Sequence, residues 1–153
     1  MSPSAPRRSM IRWSAAALVA AATLVALPAV AEAQVPVRVR IIKGSRQGPA
    51  AVDPRLEDQK RQLSALAYVK WEQVEEKRLD LQQGKPQFLT IPGGEDVAVT
   101  LQEQRPGSVT IEVALAARNT QSRLTVEKGQ RIVHQVTAEK GGAAFFLTVL
   151  AWP

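Results

Sequence analysis

The C-terminal segment Arg131–Trp152 constrains the fold of this chain more than any other stretch. It contains two β-prone runs, Arg131–Lys140 and Ala143–Trp152, separated by Gly141-Gly142. Two adjacent glycines adopt the positive φ angles of a tight turn at little cost, so the segment predicts a β-hairpin. The second run is apolar at both odd and even positions, which is typical of a strand covered on both faces. We therefore expect Ala143–Trp152 to lie in the interior of a sheet.

Short strands with turn signals between them are predicted through most of the remaining chain. The run Val35–Ile42 alternates with period two, which predicts a first strand with its valines inward and its arginines outward. Further runs of this kind are Phe88–Ile91, Val97–Gln102, Val109–Ala116 and Arg123–Glu127. Glycine and proline at 92–94 and 106–107 mark turns, and the Gly93-Gly94 pair is a hairpin turn. The predicted class is α+β, mostly antiparallel, as a meander or sandwich of about seven to eight strands.

One amphipathic helix is predicted near the N-terminus of the mature chain. Asp53 is suited to cap its first turn, and Pro54 is suited to its first helical position. Its apolar stripe comprises Leu56, Leu63, Leu66 and Ala67. The following segment, Tyr68–Leu81, allows two interpretations. Either the helix continues to Gln82, or it ends near Leu66 and a long, partly exposed strand follows, which is the interpretation we adopt.

Residues 1–33 have the features of a secretory signal peptide. A basic start containing Arg7 and Arg8 precedes an apolar run, and the small-x-small motif Ala31-Glu32-Ala33 predicts cleavage before Gln34. A membrane anchor is the alternative, but the apolar run Trp13–Leu27 is short for a span of about 20 residues. Export could follow either the general secretory route or the twin-arginine route. Residues 34–153 are expected to form a single β-rich domain in the periplasm or outside the cell, without a stable membrane span.

The chain contains no cysteine and one histidine, which restricts its chemistry. Stability must come from apolar burial rather than from disulfides, and the usual zinc ligand sets are absent. No cofactor and no metal are therefore predicted. His134 falls in the apolar file Ile132–Ala138, which indicates a histidine of the core or its rim rather than a catalytic base. Because the nucleophile-elbow, dinucleotide and phosphate-loop motifs are also missing, we predict that the protein is not an enzyme. A hydrolase using His134 is the least favoured class.

The mature chain resembles small exported proteins of bacterial envelopes whose function is unassigned. The shared features are turns and core positions: Val52–Leu56, the Leu63…Leu66…Tyr68 segment, Ile91–Gly94, Leu124–Val126 with Gly129, and Gly141-Gly142. The portion Thr125–Gly142 also resembles the hairpin pattern of secretin-type envelope proteins. The resemblance implies an envelope-located β-domain and carries over no functional residue.

Two functional hypotheses follow from the sequence. The first is a structural or protein-interaction domain of the envelope that binds another envelope protein, with Trp71 and Trp152 as candidate contacts. The second is an exported binder of acidic polymers or anionic lipid. Its candidate residues form the densest basic group of the mature chain, Arg38, Arg40, Lys43 and Arg46. The net charge of +6 includes +2 from the signal segment, and no aromatic residue is interleaved for base stacking, so nucleic acid is not an expected partner.

Overall fold

The computed structural model describes residues 33–153, apart from the side chain of Ala116. These residues belong to one compact unit. The predicted signal peptide lies outside the described residues except for Ala33. Nine strands are present in the described range: β1 Gln34–Ser45, β2 Ala51–Val52, β3 Lys70–Gln82, β4 Gln87–Ile91, β5 Glu95–Arg105, β6 Ser108–Leu115, β7 Thr120–Glu127, β8 Arg131–Gln135 and β9 Ala143–Ala151.

The strands form two sheets that pack face to face. One sheet has the order β2-β3-β1-β9-β8, and the other has the order β4-β5-β6-β7. All named pairings are antiparallel except the two-residue contact of β2 with β3. A single hydrophobic core between the two sheets contains fully buried side chains from both. These include Val39 and Val149 from the first sheet and Val99 and Ile111 from the second. The predicted mostly antiparallel fold is therefore confirmed, with two sheets and nine strands rather than seven or eight.

The C-terminal hairpin forms and places β9 between β1 and β8. Gly141 and Gly142 have φ angles of 62° and 74°, as the tight turn requires. Both faces of β9 are covered, since Leu147 lies in the inter-sheet core and Phe146 lies in a second apolar cluster. The first strand of this hairpin, β8, ends at Gln135 and not at Lys140 as predicted. The N–H groups of both Val136 and Thr137 donate to the carbonyl of Phe145, which is a local bulge that interrupts the ladder.

The second apolar cluster lies on the outer face of the five-stranded sheet, beneath the only helical segment of appreciable length in the described range. That segment is a 3-10 helix over Pro54–Gln59 that continues as a short α-helix, α1, over Lys60–Ser64. Leu56 and Leu63 are fully buried, as the predicted stripe required. The segment lies at residues 54–64, after β1 and β2, and therefore not at the N-terminus of the domain, near which the helix was predicted. It ends before Leu66, which remains 37% exposed.

Asp53 fixes the start of this helical segment and ties it to β3. Its carboxylate accepts hydrogen bonds from the backbone N–H of Arg55 at 3.0 Å and of Gln73 at 3.1 Å. The Arg55 guanidinium donates to the same carboxylate at 2.7 Å. Hydrogen bonding from the Arg55 side chain, then from these two backbone groups, holds the pKa of Asp53 well below its usual range. The predicted capping role is confirmed.

The segment Tyr68–Leu81 is mainly strand, and the alternative of a helix continuing to Gln82 is wrong. β3 pairs with β1 along its length, from Lys70 opposite Ser45 to Gln82 opposite Gln34. Trp71 is buried on the helix side, whereas Leu79 and Leu81 are buried between the sheets. This change of face follows from a register shift near Val74, where one extra residue of β3 is accommodated. The long β1 ladder is the contact that favours a strand despite the charged composition.

Candidate functional site

The two sheets meet differently along their two sides. On one side, the N–H of Gly84 donates to the carbonyl of Leu101 at 2.9 Å, and Gln83 forms an isolated bridge to the same residue. On the other side, the edge strands β7 and β8 follow each other in the chain, joined by the short connection of residues 128–130, and do not pair with each other. The start of β7 and the end of β8 lie far from this connection, and a groove is present there.

The groove comprises two neighbouring cavities. The first has a volume of about 470 Å³ and lies between the start of β7 and the end of β8, with Ser122 and His134 in its wall. The second has a volume of about 450 Å³ and lies beside the final hairpin, with Lys43 and Phe145 in its wall. Arg118, Thr137 and Ala138 line both cavities, so the two form one continuous surface feature. We refer to them together as the inter-sheet groove.

The backbone of β7 offers hydrogen-bonding groups beside this groove. The N–H of Lys128 donates to Gly107 at the end of the β6–β7 ladder. In an antiparallel strand the N–H and C=O of one residue point to the same side, and successive residues alternate. The backbone groups of Gln121, Arg123 and Thr125 therefore point away from β6. β7 is the terminal strand of its sheet, so no other strand in residues 33–153 pairs with this side.

β8 has a shorter free edge, part of which is already used. The side chain of Gln62 on α1 donates to the carbonyl of Arg131 at 2.9 Å. The same alternation then directs the backbone groups of Val133 and Gln135 outward. β7 consequently provides the longer edge for pairing with an added strand.

His134 lies at the rim of the inter-sheet core, as expected for a structural histidine. It pairs with Leu147 of β9 and is half-buried, and desolvation lowers its pKa. Ser122 lines the same cavity. No hydrogen bond joins His134 to a serine or a carboxylate among the described residues. The arrangement therefore lacks the base-orienting contact of a nucleophilic triad.

The structure divides the predicted basic group between two faces of β1. Arg38 and Arg40 lie on the side covered by the helical segment, where each contacts Glu76. Arg46 lies on the same side, where it pairs with Glu139 at 2.6 Å and stacks over the Tyr68 ring at 4.8 Å. Lys43 instead lines the inter-sheet groove. These four residues do not form one surface.

Arg40 corrects the expectation that the arginines of the first strand point outward into solvent. Arg40 is only 7% exposed, because the helical segment covers this face of the sheet. Its guanidinium donates to Glu76 at 2.6 Å and to Asp58 at 2.9 Å. Burial alone would raise the pKa of Asp58, but the Arg40 hydrogen bond and the charges of Arg131 and Arg40 lower it overall. This network joins the 3-10 helix before α1 to the sheet.

The two tryptophans proposed as contacts lie in different environments. Trp71 is 2% exposed and packs edge-on against Tyr68 and Phe146, so its ring is not available to a partner. A Cβ on Gly44 would lie 2.9 Å from the Trp71 ring, which explains why glycine occupies that position of β1. Trp152 is half-buried against the inter-sheet core. Of the two tryptophans, only Trp152 has ring surface that a partner could reach.

The groove residues Arg118, Thr137 and Lys140 were not identified from the sequence. They come from three segments: the turn before β7, the bulge after β8 and the final hairpin turn. Each is an ordinary polar residue in a turn-like stretch, and no local pattern marks them. Only the hairpin turn at Gly141-Gly142 gave a usable sign that Lys140 would lie at an end of the sandwich.

Other site types lack support in the part of the chain that the structure describes. Residues 33–153 contain no group of three or more side chains placed to hold a metal ion. Within the same range, no helix has the length and apolar character needed to cross a membrane. No protein-family model, no curated protein and no solved structure matches the chain.

Proposed function

We propose that this protein is exported to the cell envelope and acts there, without catalysis, as a protein-interaction domain. Its partner is another envelope protein that supplies an extended segment. The observation that carries this proposal is the free edge of β7 beside the inter-sheet groove. An added strand would obtain its affinity from main-chain hydrogen bonds and its specificity from alternate side chains that enter the groove.

The other free edges of the sandwich are less suited to this role. β3 extends beyond its short contact with β2 as an exposed, charged run that includes Glu75, Lys77 and Arg78. Charged side chains on an edge strand discourage pairing with another chain. β4 is five residues long, and of its residues only the last, Ile91, lines the inter-sheet groove, whereas Phe88, which is 57% exposed, does not. The β4 edge is therefore the natural comparison site for an experiment.

The geometry gives less support to a basic strand face that binds acidic polymers. Arg38, Arg40 and Arg46 are engaged with Glu76, Asp58 and Glu139. Pairing of this kind reduces the attraction that these side chains exert on a distant polyanion. The predicted maturation supports an envelope location, since Gln34, the expected first residue, is also the first residue of β1.

Site-specific cross-linking from cells tests the interaction. The chain has no cysteine, so Gln121→Cys provides a single thiol on β7, and Thr90→Cys provides a matched thiol on β4. A bifunctional thiol–amine reagent applied to intact envelopes should give a discrete adduct from Gln121→Cys and little from Thr90→Cys. Mass spectrometry of the same preparation should find Gln34 at the N-terminus. A retained residue 1–33 segment would contradict the periplasmic assignment.

A backbone variant then separates strand addition from simple proximity. Arg123→Pro removes an N–H that points to the free edge of β7, and proline is tolerated at such positions of edge strands. This change should abolish the β7 adduct, whereas Thr90→Pro on the β4 edge should leave it intact. Equal adducts from both edges, an unchanged adduct in Arg123→Pro, or no adduct at all would each refute the proposed interaction. Far-ultraviolet circular dichroism checks that both proline variants are folded.

A further inference from the structure

The second cavity of the inter-sheet groove carries an excess of positive charge. Three cationic side chains line it, Lys43, Arg118 and Lys140, together with one carboxylate, Glu95. Glu95 is already engaged, since its Oε1 lies 3.5 Å from Nε of Arg118. Among the described residues, no ion pair involves Lys43 or Lys140.

Lys43 is the most informative of these residues because its position is partly enclosed. It pairs with Phe145 across the β1–β9 ladder, and both side chains line the cavity. Its neighbours in the wall include Ile91 and Ala143, so its aliphatic stem has apolar surface to cover while the ammonium group remains accessible. A charge in such partly dry surroundings interacts with an incoming anion more strongly than a charge on an open surface does.

We propose that this cavity selects an acidic side chain of the extended segment that pairs with β7. The inference rests on the proposed function and names the chemistry of the partner. Alternate residues of an added strand point to the same face, about 6.6 Å apart. One such side chain would enter the first cavity beside Ser122 and His134. A later one, past the start of β7, would reach the second cavity, where its carboxylate pairs with Lys43 and Lys140.

Charge complementarity favours a carboxylate over a neutral side chain at this position. The cavity has more cations than anions, so a neutral residue would leave Lys43 without compensation. Hydrogen bonds between charged partners are stronger than those between neutral ones. Lys43 was included in the predicted basic group, but its role here differs: it acts in a groove with Lys140, apart from Arg38 and Arg40.

Selection of peptides from a random library tests the inference with a defined probe. Eight-residue peptides displayed on phage are selected on the purified protein, and enriched sequences are synthesised with glutamate or with glutamine at the most biased position. We expect enrichment of aspartate or glutamate at one position. The glutamine peptide should bind about tenfold more weakly, as loss of a charge-assisted contact implies.

Protein variants assign the effect to the cavity. Lys43→Gln should weaken binding of the glutamate peptide about tenfold and leave the glutamine peptide unchanged, which removes the preference for acid. Lys140→Gln, in an exposed turn, provides a second test should Lys43→Gln fail to fold. Lys77→Gln is the matched control because Lys77 is exposed on β3, outside the groove. It should leave both affinities unchanged.

The possible outcomes separate this inference from the proposed function. In one outcome, the selected peptides show no acidic bias and yet lose binding to the Arg123→Pro variant. That result would overturn the selection of an acidic side chain and would retain strand addition to β7. Two other results would overturn the inference, because each would indicate an anion site independent of strand pairing. One is an acidic preference that survives in Arg123→Pro, and the other is retention of the protein on phosphatidylglycerol vesicles that depends on Lys43. Failure to select any peptide would reject both proposals.

Discussion

The second apolar cluster predicts an unequal response of two adjacent phenylalanines to truncation. Phe146 is 3% exposed and lies in edge-to-face contact with Trp71 at 5.1 Å and Tyr68 at 5.3 Å. Removing a buried phenylalanine side chain costs about 3–5 kcal/mol, and an aromatic pair contributes about 0.5–1.5 kcal/mol beyond its buried area. Phe146→Ala should therefore fall near the upper end, at about 4–5 kcal/mol.

Phe145 provides the matched comparison because it points to the opposite face of the same strand. It is half-buried at the wall of the inter-sheet groove. Full burial of such a side chain contributes about 1.5–3 kcal/mol, so a half-buried ring should lose about 1–2 kcal/mol on truncation. A small domain is stable by only about 5–15 kcal/mol, so Phe146→Ala should leave it close to unfolding. The two changes are thus expected to differ at least twofold.

Urea unfolding measured by circular dichroism checks this expectation independently of any change in Trp71 fluorescence. With an m-value of about 2 kcal/mol/M, Phe146→Ala should lower the midpoint by about 2 M and Phe145→Ala by less than about 1 M. Phe146→Leu keeps much of the volume but loses two ring contacts worth about 0.5–1.5 kcal/mol each, so it should cost about 1–3 kcal/mol, less than Phe146→Ala. Equal midpoint shifts for the two alanine variants, or a larger shift for Phe145→Ala, would refute the assignment of these faces.

Three further predictions follow from the buried network, a close approach and the histidine. Arg40→Gln should cost about 1.5–3 kcal/mol, because it removes hydrogen bonds to two carboxylates that are themselves partly exposed, whereas Arg38→Gln, at a partly exposed position, should change stability by less than about 1 kcal/mol; similar losses in a denaturant melt would contradict the network. Gly44→Ala should destabilise by about 1–3 kcal/mol through overpacking, and an unchanged thermal midpoint would count against the close approach. Because burial lowers the pKa of His134, the unfolded state binds more protons than the folded state between that lowered pKa and about 6.5. Wild-type stability relative to His134→Gln should therefore decline as pH falls through that window, and a pH-independent difference would argue against this burial.

The strands and turns could be predicted from the sequence because their signals are local. Alternation with period two specifies which side chains share a face, and Gly141-Gly142 specifies a turn that other residues adopt with strain. The interior position of β9 also followed from its own composition. Asp53-Pro54 marked the start of the helical segment for the same reason, since a cap is made by neighbours in the chain.

The faces and edges of the sandwich were decided only by tertiary structure. Arg40 was predicted to point into solvent because the alternation pattern does not show that a helical segment packs on the second face of the sheet. Trp71 looked exposed among charged neighbours, yet pairing with β1 brings it against Phe146, which lies far away in the sequence. The groove likewise joins Lys43, Arg118 and Lys140, which lie on separate segments. Sheet order depends on long-range pairings whose energies are distributed over many residues, so no local pattern specifies which strand edge remains free.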